Sequence, residues 1–263
     1  NGMFYFSPAL TAYSLCIAAL FGAAMGSFVN CAAARLVSGQ SVCKGRSACP
    51  ACGHTLQACE LIPIFSYIFL RARCRHCGAR IAPRCLYTEL LGAGISVSML
   101  LRYGAALRAA SLMALLFLLM AAALTDLDTG LIYDRFILIG IGCFVLYALT
   151  QRPVWPALGR GLLGGLAASV PLLLFVLLAD RLMGRETMGG GDIKLFFMAG
   201  LYFDWKCALL LLLFSCVCGI VFAVLAKKKG GLEFPFGPGI AMGAWLTALA
   251  AEPLLRWYTG LFF

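Results

Sequence analysis

Residues 207–226 form a run of twenty residues without a charged side chain, and this run constrains the fold more than any other feature. An α-helix of about 20 apolar residues is long enough to cross the hydrocarbon core of a bilayer. A second uncharged run, residues 109–125, is nearly as long. With 62% hydrophobic and only 12% charged residues, the chain is too apolar for a soluble domain. The sequence therefore predicts a polytopic membrane protein.

Apolar segments recur along the whole chain and are separated by polar loops. We count eight of them, near residues 9–33, 86–102, 107–125, 132–150, 158–180, 192–204, 207–226 and 236–257. The predicted fold is all-α, with about eight transmembrane helices and one small cytoplasmic insertion. The sixth segment is short and follows three glycines, so we expect it to begin below the membrane surface.

The basic residues indicate how the chain is oriented in the membrane. The net charge of +10 does not predict nucleic-acid binding, because the lysines and arginines lie mostly in loops between apolar segments. If the spans alternate, fifteen of these 21 residues lie on the side of the 36–85 insertion. Cytoplasmic loops carry an excess of lysine and arginine, so the insertion is expected in the cytoplasm and both termini outside it.

The insertion contains two Cys-x-x-Cys-Gly motifs that predict a metal site. Each glycine permits the positive φ that such a turn requires. Four thiolates suit a closed tetrahedral zinc site of the structural kind, and they come from Cys49, Cys52, Cys74 and Cys77. Buried or disulfide-linked cysteine pairs are the alternative, although disulfides are rare in a cytoplasmic loop.

Other residues near these motifs offer further potential ligands. Three more cysteines, Cys43, Cys59 and Cys85, could replace one of the four predicted thiolates. The chain has two histidines, His54 and His76, and both lie in or beside the motifs. We interpret them as surface residues of the insertion rather than as ligands.

Two turns that carry acidic residues are predicted to face the same compartment. Asp126 ends an inward-going segment, and Asp192 begins an outward-going one after Gly189, Gly190 and Gly191. The dipole of a helix disfavours an anion at the C-terminus, and an acid at membrane depth usually has a function. Asp192 considered alone fits a helix N-cap. Together the two carboxylates predict the catalytic pair of an aspartic protease.

At these residues the chain resembles the type IV prepilin peptidases, which are bacterial intramembrane aspartic proteases with a GxGD motif. The resemblance runs nearly end to end through an ordered set of motifs: Gly26-Ser27-Phe28-Val29-Asn30, Arg35-Leu36, both cysteine motifs, Ile62-Pro63-Ile64-Phe65-Ser66-Tyr67, Glu89-Leu90, Asp126-Leu127-Asp128, Gly189-Gly190-Gly191-Asp192-Ile193-Lys194-Leu195 and Pro235-Phe236-Gly237-Pro238. The chain departs from the family at Val37 and Tyr133, where prolines are usual, and at Cys59 and Leu61. None of these departures touches the predicted catalytic pair.

The resemblance implies an endopeptidase of the bacterial cytoplasmic membrane, with its active site facing the cytoplasm. Its substrates would be type IV prepilins or pseudopilins, which carry a short basic leader before a hydrophobic helix. By this resemblance Asp126 and Asp192 are the catalytic residues, and the active-site loop consists of Gly189, Gly190, Gly191 and Lys194. The family also methylates the new amino terminus with S-adenosylmethionine. That second activity rests on the resemblance alone, because no glycine-rich nucleotide loop follows a strand.

Three further acids flank the predicted pair and are candidates for binding the leader, namely Asp128, Asp134 and Glu186. Each also has a structural alternative, because short acidic side chains form turns, cap helices or solvate loops. We expect Asp128 to form a turn or to contact the substrate. The three acids are expected to attract the basic residues of the leader only modestly, because nearby arginines and Lys194 offset them.

Two other functions compete with the protease. A proton- or cation-coupled transporter would use Asp126 and Asp192 as a relay, but we find no internal repeat. A zinc-bearing membrane scaffold would leave the glycine loop and the intramembrane Asp126 without a role. The predicted domain organisation is a first transmembrane segment at 1–35, the zinc-binding insertion at 36–85 and a seven-helix protease core at 86–263.

Overall fold

The computed structural model describes residues 8–42, 45–184, 188–226 and 235–260. Within these ranges the chain forms α-helices, one 3₁₀ turn and one π-helical turn, and its only β structure is two isolated bridges. The prediction of an all-α protein is therefore confirmed. The chain divides into two compact units, Asn1–Ala105 and Ala106–Phe263.

The first unit is built on two long helices and one short one: α1 (Pro8–Val37), α2 (Phe65–Phe69) and α3 (Pro83–Tyr103), with a 3₁₀ turn at Ala58–Leu61 before α2. α3 begins at Pro83, because proline fits the first helical position, where an N–H would have no intrahelical partner. It ends at Gly104, whose φ of 68° is readily adopted only by glycine.

The backbones of α1 and α3 touch through small residues. A side chain at Gly22 would overlap the carbonyl oxygen of Gly92, and one at Gly26 would overlap that of Thr88. Because Gly22 lies against Gly92 and Gly26 lies against Thr88, the two helices run in opposite directions. Glycine on facing surfaces lets membrane helices approach closely and gain van der Waals contact.

The insertion begins after the last residue of α1 and ends before the first residue of α3, and these two points lie at the same end of the helix pair. Near that end, the side-chain amide of Asn30 donates a hydrogen bond of 3.4 Å to Cys85 Sγ. The buried carboxylate of Glu89 in α3 accepts a 2.6 Å hydrogen bond from the Ile64 N–H. Ile64 has a φ of 65°, which a β-branched residue adopts only at a cost in energy, so Glu89 stabilises a strained turn.

The second unit contains seven α-helices among its described residues: α4 (Leu107–Thr129), α5 (Asp134–Thr150), α6 (Val154–Met183), α7 (Gly190–Gly200), α8 (Trp205–Ala226), α9 (Gly237–Leu246) and α10 (Glu252–Gly260). A π-helical turn at Thr247–Ala251 joins α9 to α10. α4 lies at the centre of this unit, because most of its residues are buried and it packs on both α5 and α9.

Close glycine contacts also hold the helices of the second unit together. A side chain at Gly164 of α6 would overlap the carbonyl oxygen of Phe203, just beyond α7, and would press on that of Gly200. Gly243 of α9 lies so close to Ser215 of α8 that a side chain there would overlap the serine. These contacts fix α7 against α6 and α9 against α8. The first residues of α7 and α9 lie at the candidate site described below.

Four of the described helices are long and apolar enough to cross a membrane, judged by length and composition: Pro8–Val37, Leu107–Thr129, Val154–Met183 and Trp205–Val224. All eight predicted apolar segments are helical, the last as α9, the π-helical turn and α10. The sixth segment is α7, with 11 residues. A membrane protein is supported, and the number of eight spans stays a prediction.

Candidate active site and metal centre

Asp192 is the third residue of α7 and does not cap it. The N-cap is Gly189, and no side chain forms a capping hydrogen bond there. The N-cap interpretation of Asp192 was therefore wrong. Its Oδ1 atom is buried and has no hydrogen-bond partner within the described ranges. A buried polar atom of this kind is rare in folded proteins and often belongs to a functional site.

The glycines before Asp192 contribute space rather than unusual backbone angles. Gly189 has a φ of −68°, and neither Gly190 nor Gly191 has a positive φ. A Cβ at Gly191 would lie 3.2 Å from Ile132 Cβ, which is tighter than most real contacts. A close approach therefore occurs at Gly191, against the side chain of Ile132, and none of the three glycines adopts a positive φ.

Asp126 lies in the last turn of α4, and only 6% of it is exposed. Its main-chain carbonyl accepts a 2.8 Å hydrogen bond from Gly130, whose left-handed conformation ends the helix. Its side-chain Oδ2 accepts a 2.7 Å hydrogen bond from the backbone N–H of Gly237. This donor offsets the unfavourable position of a carboxylate at a helix C-terminus.

Asp126 and Asp192 lie close enough together for the charge of Asp126 to act on Asp192. The start of α9 joins the two helices that carry them. Phe236 precedes Gly237 and packs on Phe196, one turn beyond Asp192, with ring centroids 6.0 Å apart. The structure therefore brings together two carboxylates that are far apart in the sequence.

Gly237 is the residue of this site that the sequence did not reveal. A Cβ at this position would lie 2.8 Å from Asp126 Oδ2 and 3.2 Å from Ala123 Cα, so only glycine fits without displacing Asp126. The motif Pro235-Phe236-Gly237-Pro238 was part of the resemblance, but no role followed from it. A glycine between two prolines, Pro235 and Pro238, was the available signal, because it suggests a constrained backbone.

Lys194 and Asp134, both predicted site residues, form an ion pair. Lys194 Nζ lies 2.9 Å from Asp134 Oδ1, and both side chains are largely exposed. Asp134 is the first residue of α5, and the N-cap is Tyr133 with no side-chain capping bond. Asp134 therefore does not act as the cap of α5, and its charge is partly neutralised by Lys194.

Of the two remaining candidate acids, Asp128 belongs to the described residues. Asp128 is exposed, two residues after the buried Asp126. The hydroxyl of Thr129 donates to the Thr125 carbonyl at 2.9 Å and accepts from the Leu131 N–H at 3.2 Å, which fixes the turn after α4. Glu186 lies outside the described residues.

The four predicted cysteine ligands form one cluster in the insertion. The Sγ atoms of Cys49, Cys52, Cys74 and Cys77 all lie within 4.8 Å of one another, and none forms a disulfide. The distance from Cys49 Sγ to Cys77 Sγ is 3.9 Å. Zinc held at about 2.3 Å by four thiolates in a tetrahedron requires separations of about 3.8 Å. The cluster could therefore hold a metal ion of this size.

The two cysteine motifs share one backbone geometry. In the first, the Gly53 N–H donates to the Cys49 carbonyl at 2.9 Å, and Gly53 has a φ of 69°. In the second, the Gly78 N–H donates to the Cys74 carbonyl at 3.0 Å, and Gly78 has a φ of 70°. The prediction that these glycines adopt positive φ is confirmed.

The thiols of the cluster are poised to bind a cation. The backbone N–H groups of Cys52 and Ala51 lower the pKa of the Cys49 thiol to about 7, which favours the thiolate. The backbone of Ala79 lowers the pKa of Cys77, but burial and the neighbouring thiols outweigh it and raise that pKa to about 11. A bound cation would stabilise the thiolate form of all four sulfur atoms, because thiols bind metal ions in their deprotonated form.

The other potential ligands within the described ranges lie outside the cluster. Cys59 is exposed and its Sγ lies 3.9 Å from the side-chain oxygen of Gln57, while Cys85 contacts Asn30. The ring centroids of His54 and His76 lie 3.4 Å apart, with the ring planes tilted by 35°. Cys43 lies outside the described residues.

Comparison with known proteins places the chain among peptidases. Residues 20–103 match the bacterial peptidase A24 N-terminal domain, and residues 113–224 match the type IV leader peptidase family. The second match includes both Asp126 and Asp192. No solved structure matches the chain.

Several curated proteins are similar in sequence to the chain over most of their length. A prepilin leader peptidase/N-methyltransferase from Pseudomonas putida is 32% identical over 92% of this chain and 93% of its own. A Bacillus subtilis protein of the same name is also 32% identical, over 93% of this chain and 97% of its own. A third, from Aeromonas salmonicida, is 34% identical over 81% of this chain and 74% of its own. The chain is thus an enzyme that belongs to the type IV leader peptidase family.

Proposed function

We propose that the chain is an intramembrane aspartic endopeptidase whose catalytic residues are Asp126 and Asp192. The observation that supports this assignment best is the convergence of the two carboxylates from α4 and α7, one of them buried against Gly237. An acid placed in such apolar surroundings needs a functional reason, because burial of an unpaired charge is costly. The substrates proposed are type IV prepilins or pseudopilins.

The proposed chemistry is hydrolysis by a bound water without a covalent intermediate. Two carboxylates at close range do not both ionise readily, so the pair holds one proton near neutral pH. The ionised member removes a proton from the water as its oxygen attacks the scissile carbonyl carbon. The protonated member donates to the developing oxyanion, and the leaving nitrogen is protonated as the C–N bond breaks.

The basic leader of the substrate would meet a weakly acidic rim. Asp128 is exposed beside the buried Asp126, and Asp134 is partly neutralised by Lys194. Exposed charge pairs contribute only about 0.2–1 kcal/mol each and are screened by salt. We therefore assign these acids, together with Glu186, to leader recognition rather than to the chemical step.

We further propose a bacterial inner-membrane location with about eight spans and an active site that faces the cytoplasm. Lysine and arginine are concentrated on one side of the alternating segments, as in cytoplasmic loops. The domain division proposed is the first span at 1–35, the insertion at 36–85 and the protease core at 86–263. The hydrophobic helix of the prepilin would then lie in the bilayer, with its leader junction at the cytoplasmic boundary.

For the cysteine cluster we propose a structural zinc ion held by Cys49, Cys52, Cys74 and Cys77. The fit between their sulfur separations and a tetrahedral site supports this identity. Four protein ligands leave no position for a water, so the ion would stabilise the insertion and take no part in hydrolysis. It would join two turns that are distant in sequence.

We also extend amino-terminal methylation with S-adenosylmethionine to this chain, on family membership alone. The relatives are named prepilin leader peptidase/N-methyltransferase. The described residues contain no strand followed by a glycine-rich loop and a helix, the usual cradle for an adenosine cofactor. No residue is therefore assigned to the cofactor.

The assay that tests the peptidase is direct. The purified chain, mixed in detergent with a prepilin that has a basic leader, should convert it to a shorter product whose amino terminus lies at the leader junction. Mass spectrometry of the product would identify the cleaved bond. The alternative of a proton- or cation-coupled relay predicts no cleavage, and instead ion flux in sealed vesicles that depends on Asp126 and Asp192.

A further inference from the structure

We infer that Asp126 carries the negative charge of the resting pair and acts on the water, whereas Asp192 holds the proton, and that the Gly237 N–H fixes this division. The inference rests on the proposed peptidase function and assigns different roles to the two acids. It also makes Gly237 a positioning residue of the active site, although it has no side chain.

One contact of Asp126 favours its ionised form, although burial acts against it. Its Oδ2 atom receives the Gly237 N–H at 2.7 Å, a length typical of a hydrogen bond to a charged acceptor. Gly237 is the first residue of α9, so its N–H is one of those that the helix itself leaves unpaired. The same helix end presents a partial positive charge to the carboxylate.

The environment of Asp192 favours its protonated form. Its Oδ1 atom is buried without a partner among the described residues, and the charge of Asp126 acts on its carboxyl group. The first turn of α7 also supplies a favourable helix dipole, which pulls in the opposite direction. A hydrogen bond to a charged group is worth more than a helix dipole, and within the described ranges Asp126 has such a bond while Asp192 Oδ1 has none.

The other charged side chains on the helices around the pair are of both signs. α9 contains no titratable side chain; Asp134 and Arg135 begin α5, Asp180 and Arg181 lie near the end of α6, and Lys194 of α7 pairs with Asp134. Asp128, on α4 itself, is exposed to solvent. Among the described residues that surround the pair, the Gly237 N–H therefore makes the largest difference between the two acids, because it stabilises the charge of Asp126 and not that of Asp192.

The division of roles gives a balanced reaction. Asp126 takes one proton from the water while the water oxygen bonds to the carbonyl carbon, and Asp192 gives its proton to the carbonyl oxygen. A gem-diol forms. Asp126 then passes its proton to the amide nitrogen as the C–N bond breaks, and Asp192 recovers a proton from a hydroxyl of the gem-diol. The products are a carboxylic acid and an amine, and each aspartate regains its starting state.

The test is the pH dependence of kcat/KM in Gly237→Ala. An added Cβ at 2.8 Å from Asp126 Oδ2 forces the carboxylate away from the N–H. Without the donor, Asp126 becomes protonated more readily, so the acidic limb of the profile should move to higher pH by about one unit. Gly239→Ala is the matched control, because its Cβ would press at 3.0 Å on Gly219 of α8 and not on Asp126.

The control should lose stability without moving the acidic limb. If Gly237→Ala does not accumulate as folded protein, Asp126→Glu tests the same contact, because its extra methylene displaces the carboxylate. For this variant the affinity for a non-cleavable prepilin peptide, which carries a hydroxyl at the scissile position, is measured as a function of pH. The acidic limb of that profile is compared with the limb measured in the same way for the wild type. An acidic limb that coincides with the wild-type one in either variant would overturn the inference. Cleavage by Asp126→Asn or Asp192→Asn would instead overturn the peptidase assignment itself.

Discussion

Lys194 Nζ lies 2.9 Å from Asp134 Oδ1, and this ion pair connects the fifth residue of α7 to the first residue of α5. Lys194 lies two residues beyond Asp192. The ion pair therefore links α7, which carries one candidate catalytic acid, to α5. Both side chains are largely exposed, and the pair is expected to contribute no more than about 1 kcal/mol to stability.

Lys194→Gln should strengthen binding of a basic leader. Removal of the lysine charge leaves Asp134 unneutralised, so KM for a prepilin should fall by up to about fivefold at low salt while kcat changes little. Asp134→Asn should raise KM, and Asp134→Asn with Glu186→Gln should raise it further. Steady-state kinetics at two ionic strengths checks this, because the effects should shrink with added salt. Unchanged KM values at low salt would leave recognition to other parts of the enzyme.

Asp126→Asn and Asp192→Asn should each lower cleavage by at least about 10²- to 10⁴-fold, because each removes a carboxyl needed for proton exchange. Folding should be preserved, since the amide oxygen introduced by Asp126→Asn can still accept the Gly237 N–H. The control is Asp128→Asn, whose exposed side chain should leave most activity intact. Rates are measured with purified protein and one prepilin. Loss of activity in Asp128→Asn but not in Asp126→Asn would mean that the pair is assigned to the wrong residue.

Cys49→Ser combined with Cys52→Ser should remove the bound metal. Elemental analysis of the purified wild-type chain should give one zinc per molecule, and the double variant should give none. Thermal stability should fall while kcat of the remaining folded enzyme is largely retained, because a closed thiolate site offers no reactive position. Cys59→Ser is the control, since its sulfur lies outside the cluster. Full zinc occupancy in the double variant would point to other ligands.

Gly92→Val should destabilise the first unit. Even a Cβ at this position would overlap the backbone of Gly22, and overpacking of this kind typically costs about 1–3 kcal/mol. Gly142→Ala in α5 is the control, because a Cβ there meets open space. The midpoint of thermal unfolding in detergent should fall for the first variant and stay within a few degrees for the second. Equal midpoints would show that α1 and α3 do not depend on this contact.

The sequence predicted those parts of the fold and site that depend on local composition and spacing. Apolar segments are visible because every residue contributes to them, and each one proved helical. The cysteine cluster was predictable because two short motifs fix the ligands before the chain folds. In both cases the information lies within a few residues of the feature itself.

The contacts of the candidate catalytic pair were less accessible to prediction. The Gly237 N–H reaches Asp126 across 111 positions of sequence and comes from the backbone, so no side chain marks it. Asp192 fitted an N-cap because Asp is common there, but the helix starts earlier, with Gly189 as its cap. Pairing of Lys194 with Asp134 depends on the packing of α5 on α7, which sequence periodicity does not specify.

The glycine contacts between α1 and α3 have a consequence for how the insertion could change over evolution. Because the two helices run in opposite directions with touching backbones, residues 38–82 form a closed loop whose two ends are held side by side. The packing of the two helices already holds the ends of that loop together. The entropic cost of closing it grows only slowly with loop length. A metal-binding module of different size, or none at all, can therefore be grafted between Val37 and Pro83 without rebuilding the helices beneath it.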